Sequence, residues 1–241
     1  MFNTALSNKI DPFQRVQAYI DNVKIAVEKL KEKKLYEKYS SLLEVAELYA
    51  KDAEYYLHEK RDVLTALSCI AYAEGLIDSL RYLMKEDIEW EPLSKLLARP
   101  KVLVAGSFEI LHPGHLFYLR EAWKLGRVYV VIARDKSINK FKKREPIVSE
   151  EHRLKIIESI KYVYKAVMGD ERDYLKPVVD IKPDIILLGP DQWPNEEELK
   201  NELRKRGLTN VEVRRLTKGL PKDVYSVSTI IKTIISKYCK K

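Results

Sequence analysis

Two histidines, His112 and His115, lie three residues apart in the stretch GSFEILHPGH at positions 106–115. A short apolar run precedes this stretch and an amphipathic pattern follows it, which predicts a strand, a loop and then a helix. Two imidazoles at this spacing project to the same side of a helix start, where free N–H groups and the helix dipole favour an anion. Pro113 is tolerated in a first helical turn, and Gly114 lets a ligand approach the backbone closely. These residues therefore predict a phosphate-binding site.

The familiar nucleotide and metal motifs are absent from the sequence. The chain contains no Gly-x-x-x-x-Gly-Lys-Ser/Thr and no Gly-x-Gly-x-x-Gly, which excludes a P-loop and a standard dinucleotide fingerprint. His112 and His115 could instead be two ligands of a zinc ion. No cysteine or further histidine stands nearby in sequence to complete a tetrahedral zinc site, so a phosphate site is the preferred interpretation.

The elements around this loop alternate between strand and helix. Apolar runs predict five strands, at 101–105, 128–133, 162–168, 184–188 and 211–213. Helical patterns follow them at 114–125, 150–160, 174–180, 196–206 and 228–238. Apolar strands joined by helices predict an α/β fold, a Rossmann-like parallel sheet flanked by helices. Ligands of such sheets bind beyond the carboxyl ends of the strands, which is where the two histidines fall.

The first part of the chain has a different pattern. Apolar residues recur there at three- and four-residue steps, which predicts three or four amphipathic helices. The polar breaks at 31–34 and 58–61 are short, so the helices should form an antiparallel bundle. Pro100 disfavours helix continuation, and we expect a helical domain at 1–98 and an α/β domain at 99–241.

Composition and charge limit the class of protein. The chain is 46% hydrophobic and 33% charged, with 8 Gly and 10 Pro, which excludes collagen-like and mostly disordered chains. Residues 1–98 carry 14 Lys and Arg against 17 Asp and Glu, so the net +8 is concentrated in residues 99–241. A basic half could grip nucleic acid, which makes a nucleic-acid-binding or scaffold protein the alternative. A nucleotide site also needs positive charge, and no stripe of aromatic and basic residues indicates an RNA platform.

The sequence also predicts the compartment. No run approaches 18 apolar residues and the first residues are not those of a secretory signal, so we expect a cytoplasmic protein without a membrane partner. Cys69 and Cys239 are far apart and should be free thiols. Abundant Lys and Glu beside few Cys are typical of growth at high temperature.

The run after the first strand, GSFEILHPGH, resembles the signature of the HxGH-type nucleotidyltransferases of the cytidylyltransferase-like superfamily. The resemblance extends through the second part of the chain, to ARDKS at 133–137, KFKKREP at 140–146, EHR at 151–153 and SVSTIIK at 226–232. Within the superfamily the stretch GPDQ at 189–192, with its following helix, is most similar to the archaeal FAD synthases. The stretch AYAEGLIDSL at 71–80 resembles an archaeal helical domain of unknown function.

This resemblance implies transfer of a nucleoside monophosphate from ATP or CTP, with Mg²⁺, to a phosphorylated small-molecule acceptor, and release of pyrophosphate. FMN with ATP is the preferred pair, and a cytidylyltransferase for a polyol or lipid-headgroup phosphate is the alternative. The catalytic residues it implies are His112, His115, Lys140 and Lys142. The nucleotide-binding residues it implies are Gly106, Ser107, Phe108, Gly114, Arg153, Asp191, Ser228 and Thr229. No side chain is implied as a metal ligand, although Glu109 belongs to the acceptor or metal region.

The sequence departs from the family pattern at two places and leaves others open. Glu109 stands where the family most often has Asp, and the last motif reads Val227-Ser228-Thr229 with a further serine at Ser226. We expect Ser228 and Thr229 to cap the last helix and hold a phosphate. Trp193-Pro194 could anchor a turn or cover a base, and the basic run at 140–144 could be a solvated loop. A homodimer stays possible.

Overall fold

The computed structural model describes residues 10–32, 36–84, 88–221 and 225–239. The chain forms two compact units, Met1–Ala98 and Arg99–Lys241. The boundary between the units falls at the position where the charge and the hydrophobic pattern change.

The first unit is helical. Its helices are α1 (Pro12–Lys31), α2 (Tyr36–His58), α3 (Val63–Met84) and the short α4 (Leu93–Leu97). Their apolar faces share one buried core, to which Ile20, Leu57 and Ile77 contribute fully buried side chains. The fold class predicted for this part is thereby confirmed. Of the predicted polar break at 31–34, residues 33 and 34 lie outside the described residues.

Helix α3 is long and apolar enough, between Val63 and Leu83, to cross a membrane by length and composition alone. One face of the helix is packed in the bundle core, and Glu74 and Asp78 stand in its middle. Burial and the neighbouring Asp78 raise the pKa of Glu74 to about 7. Acidic residues at the centre of a membrane span are costly, so this composition favours a bundle helix.

The second unit is a five-stranded parallel sheet with helices between the strands. The strands are β1 (Lys101–Gly106), β2 (Arg127–Ile132), β3 (Val163–Met168), β4 (Ile185–Leu188) and β5 (Glu212–Arg215). The helices are α5 (Pro113–Leu125), α6 (Asp135–Lys142), α7 (Glu150–Glu158), α8 (Lys176–Ile181), α9 (Glu196–Lys205) and α10 (Val227–Tyr238). The predicted α/β, Rossmann-like class is confirmed.

The strand order β3-β2-β1-β4-β5 places β1 in the centre of the sheet. The chain moves outward from β1 in one direction to β3 and then crosses back to β4, so the topological switch lies beside β1. Val102 and Val104 of β1 are fully buried, and all of β4 is buried, because helices cover both faces of the sheet. The loop between β1 and α5 therefore begins at the switch point, where α/β sheets bind ligands.

Helix α6 differs from the sequence-based expectation, which placed only the helix at 150–160 between β2 and β3. Its eight residues are mostly polar, and only Ile138 is buried, so they give no extended apolar pattern. Tertiary contacts stabilise the helix start instead. The Asp135 N–H donates to Glu150 at 2.7 Å, and the Glu150 N–H donates back to Asp135 at 3.3 Å, so α6 and α7 cap each other.

Candidate active site

The loop that follows β1 is packed tightly around Phe108. Its ring is buried, and its backbone has a φ of 45°, in the left-handed region that non-glycine residues rarely adopt. A Cβ at Gly106 would lie 2.9 Å from the Phe108 ring, so only glycine fits beneath it. Backbone strain of this kind is concentrated at functional sites, where the surrounding packing maintains it. Gly106 and Phe108, both predicted to bind nucleotide, thus fix the conformation of the loop after β1.

His112 and His115 meet at the start of α5. Their rings stack with centroids 3.8 Å apart, and the Phe108 ring lies 5.2 Å from that of His115. The Nδ1 atoms of both histidines are buried and have no hydrogen-bond partner among the described residues. His112 occupies the N-cap position of α5 but caps it with no side-chain hydrogen bond. The start of α5 thus has no side-chain cap, and it lies beside two imidazoles whose Nδ1 atoms are unpaired among the described residues.

Gly114 permits this arrangement. A Cβ there would lie 2.9 Å from the His112 ring and 3.4 Å from the carbonyl oxygen of Tyr225. The start of α5 and the segment that leads into α10 are therefore close neighbours, and a side chain at Gly114 would push both away. The sequence-based pairing of these two helix starts around one site agrees with this proximity.

Both histidines are poor bases in the free protein. Burial lowers the pKa of His115 to about 4, with smaller contributions from His112 and Lys142, and burial also lowers the pKa of His112. At neutral pH the two rings are therefore uncharged, and they can approach each other without repulsion. A triphosphate placed beside them would favour the imidazolium form and the donation of hydrogen bonds.

The two candidate lysines of α6 are placed differently. The ammonium of Lys142 donates to Ser107 Oγ at 3.0 Å and lies 3.9 Å from the Glu109 carboxylate. Its pKa is lowered, chiefly by burial. The Lys140 ammonium lies 6.0 Å from the Phe141 ring on an exposed part of the helix. The structure thus brings Lys142 and Ser107 to the loop of the histidines, and it places Lys140 farther out.

The Glu109 carboxylate is paired with the Arg144 guanidinium. The carboxylate is 2% exposed and accepts two hydrogen bonds from the Arg144 guanidinium, at 2.7 and 2.6 Å. The Ile147 N–H donates a third at 2.7 Å. The Arg144 hydrogen bond is the main cause that lowers the Glu109 pKa. The carboxylate therefore anchors the segment after α6 to the loop after β1.

Arg153 joins strand ends from inside the fold. Its side chain is fully buried, and its guanidinium donates to the carbonyl oxygens of Ser107, Ala133 and Val148. It also donates to Asp135 at 2.6 Å. These contacts fix the carboxyl ends of β1 and β2 relative to each other. The side chain is closed off from a ligand, so Arg153 serves as a positioning residue for Ser107 and α6.

A second arginine shapes the loop after β4. Arg215, at the end of β5, donates to the carbonyl oxygens of Gly189, Gln192 and Pro194 at 2.8, 2.8 and 3.0 Å, and it pairs with Glu196. Gln192 in turn donates to the carbonyl oxygen of Ala105 at 2.7 Å and accepts from the Gly189 N–H at 3.0 Å. The ends of β1, β4 and β5 are thus tied together.

Asp191 stands exposed at the tip of the turn that Gln192 closes. The sequence analysis singled out Asp191 but missed Arg215, and it named Arg144 only as part of the basic run at 140–144. An arginine at the predicted end of a strand was the available signal for Arg215, because that edge of the sheet is where ligands bind.

The start of α10 corrects one expectation. The N-cap is Ser226, and its Oγ accepts from the Thr229 N–H at 3.1 Å and contacts the Thr229 hydroxyl at 2.9 Å. Ser228 lies inside the first turn, so it does not cap the helix as predicted. The reason is geometric, because an N-cap needs the extended backbone that Ser226 has, with φ −141° and ψ 152°.

These elements make a candidate anion site at the carboxyl edge of the sheet. It comprises the stacked imidazoles, the start of α5, the start of α10, Lys142 and Ser107. Within the described residues no group of three or more His, Cys, Asp or Glu side chains could hold a metal ion. The donors suit phosphate groups, which need positioning and neutralisation of charge.

Comparison with known proteins shows the family to which the second unit belongs. The sequence profile of the cytidylyltransferase-like family matches residues 103–234, more than half of the chain. The chain belongs to the cytidylyltransferase-like family. It is therefore an enzyme of the nucleotidyltransferase class, as predicted, and the alternative of a non-enzymatic nucleic-acid-binding or scaffold protein is not supported. A second profile, of a protein of unknown function (DUF357), matches residues 18–85.

Relatives of the second unit carry one name. "FAD synthase" of Archaeoglobus fulgidus is 46% identical over 137 residues, which are 56% of this chain and 98% of the relative. "FAD synthase" of Methanothermobacter thermautotrophicus is 47% identical over 139 residues, 56% of this chain and 91% of the relative. Both relatives are archaeal, in agreement with the predicted archaeal character and with a thermophilic source.

A solved structure, the lipopolysaccharide core biosynthesis protein of Thermoplasma volcanium, is 42% identical to this chain. It is matched over 50% of this chain and 98% of its own, with a TM-score of 0.48.

Proposed function

We propose that the protein is an FMN adenylyltransferase, which transfers AMP from ATP to FMN and forms FAD. In this reaction a terminal phosphate oxygen of FMN attacks the α-phosphorus of ATP. The bond from the α-phosphorus to the oxygen that bridges to the β-phosphorus breaks, and pyrophosphate leaves with both electrons of that bond. The observation that carries the proposal is the anion site at the starts of α5 and α10, in a domain that spans nearly the whole length of relatives named FAD synthase.

The chain's own residues have separable roles in this proposal. The uncapped start of α5 and the imidazoles of His112 and His115 bind the triphosphate. They donate hydrogen bonds that strengthen as negative charge grows on the leaving pyrophosphate. The first turn of α10, with Ser228 and Thr229, contacts the β- or γ-phosphate. Gly114 keeps these two helix starts close enough to act on one ligand.

In this proposal Lys142 neutralises charge on the reacting phosphate groups. Its contact with Ser107 holds the ammonium near the histidines, where it can neutralise the attacking phosphate or the α-phosphate. Asp191 contacts the ribose or the base, by virtue of its exposed position after β4. Arg144, Arg153 and Arg215 act as positioning residues, because each uses its guanidinium to hold backbone or a carboxylate.

Magnesium is proposed to come with the nucleotide. The donors at this site are nitrogens and hydroxyls, and the nearby Glu109 carboxylate is already paired, so the phosphate oxygens themselves are the natural ligands for a hard cation. When bound, Mg²⁺ neutralises charge on the phosphates. The proposal also assigns the protein to the cytoplasm, where ATP and FMN are available.

A coupled assay tests the proposal. The purified protein is incubated with Mg²⁺, with ATP or CTP, and with FMN, glycerol phosphate or phosphocholine, while pyrophosphate release and products are followed by mass spectrometry. We expect FAD and stoichiometric pyrophosphate only from ATP with FMN, and loss of both products on addition of a chelator. A cytidylylated alcohol phosphate formed in preference to FAD would replace this proposal by the cytidylyltransferase alternative.

A further inference from the structure

Three large aromatic side chains lie exposed at the carboxyl edge of the sheet. Phe141 is 71% exposed, Tyr174 47% and Trp193 64%. Phe141 belongs to α6 after β2, Tyr174 precedes α8 after β3, and Trp193 lies between β4 and α9. Exposed apolar side chains that come together from three separate segments are typical of a binding surface.

The three rings contact one another through Trp193. Its centroid lies 6.3 Å from that of Phe141 and 5.6 Å from that of Tyr174, with the planes tilted by 33° and 51°. These distances fall in the range of interacting aromatic pairs. We name Phe141, Tyr174 and Trp193 the aromatic platform.

The aromatic platform adjoins the anion site. Because β1 pairs with both β2 and β4, a contact between the segments after β2 and β4 bridges the end of β1, from which the histidine loop begins. Phe141 also directly precedes Lys142, whose ammonium contacts Ser107 in that loop. A ligand with its phosphate at Lys142 could therefore extend a ring system over the aromatic platform.

The backbone on either side of Trp193 is held by hydrogen bonds, whereas the indole ring of Trp193 is exposed. The carbonyl oxygens of Gln192 and Pro194, on either side of Trp193, both accept hydrogen bonds from Arg215. Preorganised backbone with an exposed ring lowers the entropic cost of binding, because little of the loop must be ordered when a ligand arrives.

We infer that the aromatic platform stacks the fused three-ring system of the flavin acceptor, an inference that rests on the proposed function. The triphosphate is assigned to the starts of α5 and α10, and neither helix contributes to the platform. Two successive ring contacts also make a surface longer than a single base requires, and they match an extended tricyclic ring. Because Phe141 and Tyr174 are tilted from Trp193 by 33° and 51°, the flavin stacks on the face of the indole, and the other two rings contact its edges.

The test uses the full-length protein with Trp193→Ala and Trp193→Phe, and with Tyr82→Ala as control. Tyr82, 84% exposed, is an aromatic residue on α3, in the helical unit. Flavin fluorescence quenching reports binding of FMN and of riboflavin, which has the ring but no phosphate, and steady-state rates give the KM for FMN and for ATP. The wild-type protein is first shown to form FAD.

We expect Trp193→Ala to weaken riboflavin binding and to raise the KM for FMN by about tenfold, with kcat and the KM for ATP unchanged. Trp193→Phe should retain most of the binding, and Tyr82→Ala all of it. If Trp193→Ala melts early, Phe141→Ala and Tyr174→Ala test the same surface, each with a smaller effect in the same direction.

Two results would overturn the inference while leaving the proposed function intact. A raised KM for ATP with an unchanged KM for FMN would show that the indole covers the adenine. Wild-type kinetics for both substrates in all three platform variants would show that the rings only pack on each other. Absence of FAD formation by the wild-type protein would overturn the proposed function, and this inference with it, before any variant is compared.

Discussion

The Arg144 guanidinium grips the Glu109 carboxylate with two hydrogen bonds, of 2.7 and 2.6 Å, across 35 residues of sequence. The carboxylate is buried in the loop after β1, and the guanidinium belongs to the segment that follows α6. The pair thus links the segment after α6 to the loop after β1, beside the anion site. A glutamate is long enough to reach this partner from a buried backbone, which gives the departure from Asp a structural reason.

Glu109→Gln should destabilise the protein, because it leaves a cation without its partner next to a buried amide. We expect a loss of about 1 to 3 kcal/mol in the free energy of unfolding at neutral pH. The folded protein holds the Glu109 pKa below its ordinary value, so this stabilisation is present above the ordinary carboxyl pKa and is lost as the pH falls through the lowered one. Urea melts of both proteins from pH 7 to pH 3 measure it. A difference that persists unchanged at the acid end would contradict the ion-pair assignment.

Lys142→Ala and Lys140→Ala form a matched pair, because both lysines lie on α6 and each variant removes one positive charge. We expect Lys142→Ala to lower kcat/KM by about 10²-fold, since its ammonium lies at Ser107, and Lys140→Ala to have little effect. Steady-state kinetics at fixed ionic strength decide it. Equal losses for both variants would mean that the general positive field of the helix matters more than one contact.

The order of strands and helices followed from the sequence because most of the strands are short apolar runs, which periodicity detects. The missed element, α6, has few apolar residues and is stabilised by reciprocal capping between Asp135 and Glu150, a long-range contact that no local pattern contains. For the same reason the sequence analysis placed Arg153 on the nucleotide. Only the fold reveals that its guanidinium is buried against the carbonyl oxygens of Ser107 and Ala133.

The histidines were predictable as a pair because three-residue spacing at a helix start brings them to one side. Their direct stacking, with Phe108 beside them, was not predictable, because it depends on the left-handed backbone at Phe108.

We expect His112→Ala and His115→Ala each to lower kcat by about 10²- to 10³-fold with a small change in Tm. Circular dichroism melts and rates on the same samples check this. A large drop in Tm with normal kcat in the folded fraction would make the pair a packing feature.

The charge of His115 should depend on the ligand. Because its pKa is about 4 in the free protein, below the ordinary 6.5, the ring stays neutral on acidification from pH 7 to pH 5. The unfolded chain takes up that proton more readily, so the free energy of unfolding should fall as the pH drops from about 6.5 towards 4. Proton NMR of the ring Cε1–H measures the midpoint directly. We expect ATP to raise it and His112→Ala to raise it slightly, whereas a midpoint near 6.5 in the free protein would remove burial as the dominant influence.

Residues 99–241 produced alone should fold and catalyse. This segment is a compact unit that contains every residue assigned here to the reaction, and the Archaeoglobus fulgidus relative is matched over 98% of its length by 56% of this chain. The relative named "FAD synthase" is thus about as long as this unit alone. We expect the truncated protein to keep the KM values for both substrates and a kcat close to that of the full chain. Circular dichroism and the pyrophosphate assay provide the measurement, with Lys142→Ala in the truncated protein as the low-activity control. If the segment folds yet binds no nucleotide, then the helical unit completes the site, and its role changes from an independent domain to a part of the active site.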